Sequence, residues 1–171
     1  HKLVGHTIFG LALVHTAAAS NLGQMLVKIC KADGIPLINI VRSAAQVELL
    51  KSIGATYILN SEDADFNDQL TAALTETGAT CAFDAIGGGK LANTILACME
   101  VAAVKKMKEY SRYGSDTFKQ VYIYGMLDVG PTVLTRSFGF GWAVSGFLLT
   151  PFMAKAGMEK MMQMRARIVA E

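Results

Sequence analysis

The segment His15-Thr-Ala-Ala-Ala-Ser-Asn-Leu-Gly-Gln24 gathers small residues between an apolar run and an amphipathic one. Small side chains let backbone approach a phosphate, and a helix starting there offers N–H donors and a partial positive charge. With Gly23 as the last glycine of a G-x-G-x-x-G turn, Ala18 and Ser20 fill the first two glycine positions, so the strict motif is not met. Two readings stand: a tight strand-to-helix turn, or a pyrophosphate cradle. About 20 residues further on, such cradles carry an acid that accepts the ribose hydroxyls of NAD. This chain has Val41-Arg42-Ser43 there and no carboxylate until Glu48. A cation beside a hydroxyl suits a 2′-phosphate, so NADP(H) is preferred over NAD(H); the alternative is a solvated strand-end charge. A third element is Asp84-Ala-Ile-Gly87-Gly-Gly89. Glycines there would keep a crevice floor open to a ribose or nicotinamide, or form an ordinary turn before a helix at Leu91.

The elements that must hold these residues follow from hydrophobic period. Strands are predicted over 11–14, 37–41, 57–59, 81–86 and 121–124, with a sixth near Trp142–Leu149. The spacing of Leu22, Met25, Leu26, Ile29 and Cys30 predicts a helix face, stopped by Gly34 and Pro36. Further helices are predicted over 44–53, from Phe66 to Gly78, from Leu91 to Lys108 and from Gly157 onward. Strands alternating with helices mean βαβ units with right-handed crossovers. The fold class is therefore α/β: a doubly wound parallel (Rossmann) sheet of about six strands, helices on both faces, one domain over residues 1–171.

Composition closes off other classes. The 171 residues suit one domain, and 52% hydrophobic against 18% charged residues excludes disorder. A net charge of +2 is too small for a nucleic-acid footprint, and no run of about 20 apolar residues suggests a membrane span. Cys30, Cys81 and Cys98 lack CxxC spacing and read as buried thiols in a reducing, cytoplasmic setting. No Cys/His set has metal-ligand spacing, so no metal is expected. No G-x-S-x-G elbow is present, and His15 beside the turn reads as structural. Tyr110, Tyr113 and the run Lys105–Lys108 read as a solvated face within a polar stretch over 105–120. Met153, Met158, Met161, Met162 and Met164 form a stripe that packs a core or a neighbouring domain. The apolar segment Ser137–Leu149 is placed last, where an exposed edge strand would pair with another chain as a homodimer.

His15–Gln24, Ile40-Val-Arg-Ser43, Leu50-Lys-Ser-Ile-Gly-Ala55 and Phe83-Asp-Ala-Ile-Gly-Gly88 follow one another in an order and spacing that resembles a known family. That family is the medium-chain dehydrogenase/reductase superfamily, in its nucleotide-binding domain. The chain is most similar to the zinc-free quinone oxidoreductases and the 2-enoyl thioester reductases, over about Leu11 to Tyr124. Quinone oxidoreductases usually show an A-A-G-G-V-G-type turn, and Ser20-Asn21 and Val41-Arg42 resemble the enoyl reductases more. The resemblance implies pyrophosphate contacts from Ala19, Ser20, Asn21, Leu22 and Gly23, and 2′-phosphate contacts from Arg42 and Ser43. It places Tyr57 against the adenosine side, Ala85, Ile86 and Gly87 along the ribose, and Tyr124 and Gly125 further along the groove. Gln46 stands where many quinone reductases have a lysine, which weakens the NADP preference. The function implied is hydride transfer from NADPH to a quinone or an electron-poor C=C or carbonyl small molecule. The alternatives are 2-enoyl thioester reduction, and a non-catalytic dinucleotide-binding or redox-sensing module. No catalytic residue is assigned. The family's N-terminal GroES-like domain has no counterpart in residues 1–10, so the chain is expected to be an excised cofactor-binding domain that binds dinucleotide without turnover.

Overall fold

A computed structural model describes residues 12–170. His1, His6 and Leu11 lie outside them. The main sheet comprises β1 (Leu13–His15), β2 (Leu37–Val41), β3 (Tyr57–Asn60), β4 (Cys81–Asp84), β6 (Lys119–Ile123) and β8 (Trp142–Gly146). All neighbours are parallel, in the order β3-β2-β1-β4-β6-β8. Strand order therefore reverses between β1 and β4, which opens a crevice at their carboxyl ends. The helices are α1 (Asn21–Asp33), α2 (Ala44–Ser52), α3 (Phe66–Thr77), α4 (Leu91–Val104), α5 (Leu149–Ala156) and α6 (Met158–Ala170).

Each face of the sheet has its own core. Val14, Ile38, Ile40 and Val121 point to α3 and α4 and pack with Leu70, Leu74, Ile95, Leu96 and Met99. On the other face Leu37 and Val41 meet Val27 and Cys30 of α1 and Leu50 of α2. Further along that face, Phe83, Tyr122, Phe147 and Phe152 form an aromatic block, with Phe83 and Tyr122 stacked at 5.4 Å. Burial of these side chains is the main stabilising term, roughly 1.5–3 kcal/mol for each large apolar residue. Helices α1 and α3 stop at Gly34 and Gly78, whose φ values of 66° and 69° are left-handed and close the last turn.

Several predicted boundaries move, each for a physical reason. The first strand is Leu13–His15, one residue beyond the predicted 11–14 at its carboxyl end. In α1 the buried residues are Gly23, Val27 and Cys30; Leu22 and Met25 are exposed. The helix is turned because Gly23 must lie on Ala18, and Met25 and Ile29 face Ile168 of α6 instead. Helix α4 ends at Val104, before Lys105, Lys106 and Lys108, whose like charges disfavour continuation. The segment 87–89 is a strand, β5 (Gly87–Gly89), paired in parallel with β7 (Asp128–Thr132) in a separate two-stranded sheet. Asp128-Val-Gly-Pro-Thr132 reads as a turn in sequence, yet an exposed edge strand tolerates its glycine and proline. The sixth sheet strand ends at Gly146, and the apolar residues after it open α5, where Pro151 sits in the first turn. The methionine stripe is not core: Met158 and Met162 are exposed and α6 buries no residue.

Candidate functional site: the carboxyl edge of the sheet

The turn after β1 crosses from strand to helix with Ala17 at φ 50°, a left-handed conformation for a residue with a Cβ. A Cβ on Gly23 would lie 2.1 Å from the Ala18 carbonyl oxygen and within 2.7 Å of two more Ala18 backbone atoms. Only glycine allows that approach, the same demand that the third glycine of a dinucleotide turn meets. Ser20 caps α1, its Oγ accepting from Gly23 N at 3.1 Å. The N–H groups of Asn21 and Leu22 have no hydrogen-bond partner among the described residues. They are free donors at the positive end of a 13-residue helix, the arrangement that takes an anion.

Arg42 opens the next turn, directly after β2. Its backbone N–H donates to Gln46 Oε1 at 3.0 Å, and Ser43 caps α2 by accepting from Gln46 N at 3.3 Å. Gln46 and Ser43 thus fix the turn reciprocally, in the manner of a capping box. The Arg42 side chain is exposed and makes no ion pair among the described residues. Glu48, the nearest following acid, is taken by Lys51 at 2.7 Å. Glu62 and Asp63 follow β3, the next strand out.

The turn after β4 is held from inside. Thr16 Oγ1 donates to Asp84 Oδ1 at 2.7 Å and accepts from Ala85 N at 2.9 Å. Asp84 also accepts from Ile86 N at 3.0 Å and Gly87 N at 3.1 Å. This buried carboxylate therefore fastens the ends of β1 and β4 together. Three of the glycines here let chain segments cross closely. A Cβ on Gly87 would lie 2.9 Å from Gly125 O, one on Gly88 2.6 Å from the Asp128 side chain, and one on Gly125 2.5 Å from Ala85 O. Tyr124 and Gly125 follow directly on β6, beside this turn, with Tyr124 N donating to Asp84 O at 2.9 Å.

Sequence reading sets His15 aside as structural, yet its Nε2 lies 2.6 Å from the Tyr124 hydroxyl. Burial pulls the imidazole down to a pKa of about 4, against an upward pull from the Asp84 charge. Burial, then the same charge, raises Tyr124. The sequence signal for this pair is position alone: His15 directly follows the predicted strand 11–14, and Tyr124 ends the predicted strand 121–124. Tyr57 is not brought to that edge. It is the first residue of β3, at the amino end, and its hydroxyl donates to Glu76 Oε1 at 2.9 Å. The polar stretch 105–120 also hides a buried ion pair. Lys119 is fully buried and its Nζ lies 2.6 Å from Glu100 Oε2, with Ser115 N and Oγ donating to the same carboxylate. Burial alone would raise Glu100, but Lys119 and Ser115 outweigh it and hold the carboxyl below its usual range.

Residues 22–104 match a family model described as zinc-binding dehydrogenase. A search of curated proteins gave no match. The fold is shared with a Mesorhizobium loti protein described as an NADPH:quinone reductase, at 28% identity, TM-score 0.69, over 93% of this chain and 41% of that one. It is also shared with a mutant enoyl thioester reductase from Candida tropicalis, at 17% identity, TM-score 0.65, over 93% and 42% of the two chains. A third structure of this fold is a complex with NADP and crotonyl-CoA, at 18% identity, TM-score 0.65, over 93% and 42%. The chain spans about two-fifths of the length of these structures. Among the described residues no three His, Cys, Asp or Glu side chains gather as a metal site, and no helix is long and apolar enough to cross a membrane.

Proposed function

We propose that this chain binds NADP(H) along the carboxyl edge of β2, β1, β4 and β6, as the cofactor-binding part of a reductase. The Gly23–Ala18 crossing carries this assignment, because it brings backbone to within a distance that a side chain would forbid. The unpartnered N–H groups of Asn21 and Leu22, with Ala19, Ser20 and Gly23 around them, suit the pyrophosphate. Arg42 and Ser43 suit a 2′-phosphate, and Ala85, Ile86, Gly87 and Gly125 adjoin the other ribose. Once bound, the dinucleotide supplies hydride chemistry; the chain orients it and excludes water.

The substrate class is a quinone or an electron-poor C=C or carbonyl compound, reduced without a metal step. The neighbour in complex with crotonyl-CoA supports a second reading, 2-enoyl thioester reduction. Titrating the chain with NADPH and NADH tests the cofactor assignment, and saturable binding of NADPH is expected. Assaying the protein in its full reading frame with menadione and with crotonyl-CoA separates the two substrate classes. The edge of β8 (Trp142–Gly146), which among the described residues pairs only with β6, supports a two-fold homodimer. A monomer mass by light scattering at tens of micromolar would oppose it.

A further inference from the structure

β4 lies between β1 and β6, so His15 and Tyr124 reach each other across the carboxyl end of an intervening strand. Their rings are nearly parallel, 8° apart, with centroids at 5.8 Å. The imidazole is 1% exposed, and its Nδ1 has no hydrogen-bond partner among the described residues. With its pKa lowered to about 4 the ring is neutral near pH 7, so one nitrogen donates and the other accepts. A buried N–H without a partner is rarer and costlier than a lone pair without one. The unpartnered Nδ1 is therefore the lone-pair nitrogen, and Nε2–H donates to the Tyr124 oxygen. No acceptor among the described residues then takes the phenol hydrogen.

We propose that Tyr124, positioned by His15, donates a hydrogen bond to a carbonyl oxygen on the redox half of the bound dinucleotide and its substrate. This rests on the NADP(H) assignment above. With the 2′-phosphate at the end of β2 and the pyrophosphate at the end of β1, the nicotinamide half extends over β4 and β6, where Tyr124 stands. Two oxygens share the required chemistry: that of the nicotinamide carboxamide and that of a quinone or thioester substrate. His15 touches neither and acts through Tyr124.

The test uses the whole chain with Tyr124→Phe, His15→Leu, His15→Gln and the double variant Tyr124→Phe/His15→Leu. NADPH binding is followed by fluorescence, and calorimetry follows 2′,5′-ADP binding to the cofactor-free chain and duroquinone binding to the NADP+ complex. Tyr124→Phe is expected to weaken one of the two carbonyl ligands about 3- to 10-fold, the loss of one neutral hydrogen bond. Weaker NADPH binding identifies the carboxamide, and a loss confined to duroquinone identifies the substrate. Binding of 2′,5′-ADP, which lacks the redox half, should stay within twofold. His15→Leu should match Tyr124→Phe, the double variant should lose nothing more, and His15→Gln, which keeps a neutral donor, should recover most of the affinity. Should His15→Leu fail to fold, Tyr124→Phe and His15→Gln still decide. Unchanged binding of both carbonyl ligands in Tyr124→Phe, or an equal loss of 2′,5′-ADP, would overturn the proposal. A wild-type chain that binds neither NADPH nor 2′,5′-ADP would refute the dinucleotide assignment itself.

Discussion

Replacing Gly23 with alanine strikes the point where strand, turn and helix come closest. The new Cβ would stand 2.1 Å from Ala18 O, whereas real Cβ atoms essentially never approach below 3.0 Å. The backbone must open by about 0.9 Å, and no rotamer change relieves it because every atom in the way is backbone. Forcing extra volume into a packed site costs about 1–3 kcal/mol. At roughly 2–4 °C for each kcal/mol in a domain of this size, Tm should fall by about 2–12 °C. The same opening shifts the Asn21 and Leu22 N–H groups, so NADPH affinity should drop at least about tenfold, or about 1.4 kcal/mol. Differential scanning calorimetry and NADPH fluorescence titration read the two effects. A Gly23→Ala protein with wild-type Tm and wild-type affinity would refute the close-approach argument.

Two further outcomes follow from the buried polar groups. Lys119→Met leaves Glu100 buried without its cation and should cost about 3–5 kcal/mol, read as a lower denaturation midpoint. The double variant Glu100→Leu/Lys119→Met should recover most of that loss, and a single variant as stable as wild type would contradict the pairing. For His15, the unfolded chain gains a proton near pH 6.5 that the folded chain refuses until about pH 4, so stability falls as pH drops through that window. His15→Gln should remove that component. Equal pH slopes for both proteins in urea titrations would show that His15 is not held neutral.

Much of the sheet is legible in the sequence because its strands are short apolar runs closed by glycine. β2 (Leu37–Val41) is buried throughout and needs no partner to be recognised. The same logic fails wherever a tertiary contact overrides local composition. Lys119 looks like the end of a polar loop, yet it begins β6 because Glu100, 19 residues away, meets its charge inside the protein. β7 is invisible because Gly130 and Pro131 signal a turn, and only the glycines of β5 make room for it. At the site, Gly23 and Arg42 stand out by type and spacing. Tyr57 is misplaced because residue order within a four-residue strand decides which sheet edge a side chain reaches. His15 and Tyr124 lie 109 residues apart, and no local pattern joins them.

The central claim is that Arg42 reads a 2′-phosphate, and calorimetry with NADPH and NADH on wild type and Arg42→Ala tests it most directly. A hydrogen bond to a charged group is worth roughly 1.5–3 kcal/mol, so the guanidinium allows about a tenfold to hundredfold preference for NADPH. Gln46 has its amide oxygen committed to the Arg42 backbone, and Glu62 and Asp63 follow the neighbouring strand, which favours the lower figure. Wild type should prefer NADPH about tenfold, and Arg42→Ala should lose that preference while keeping its NADH affinity. Equal binding of NADH and NADPH by wild type, or an NADPH affinity untouched by Arg42→Ala, would make Arg42 an ordinary solvated charge at the end of β2.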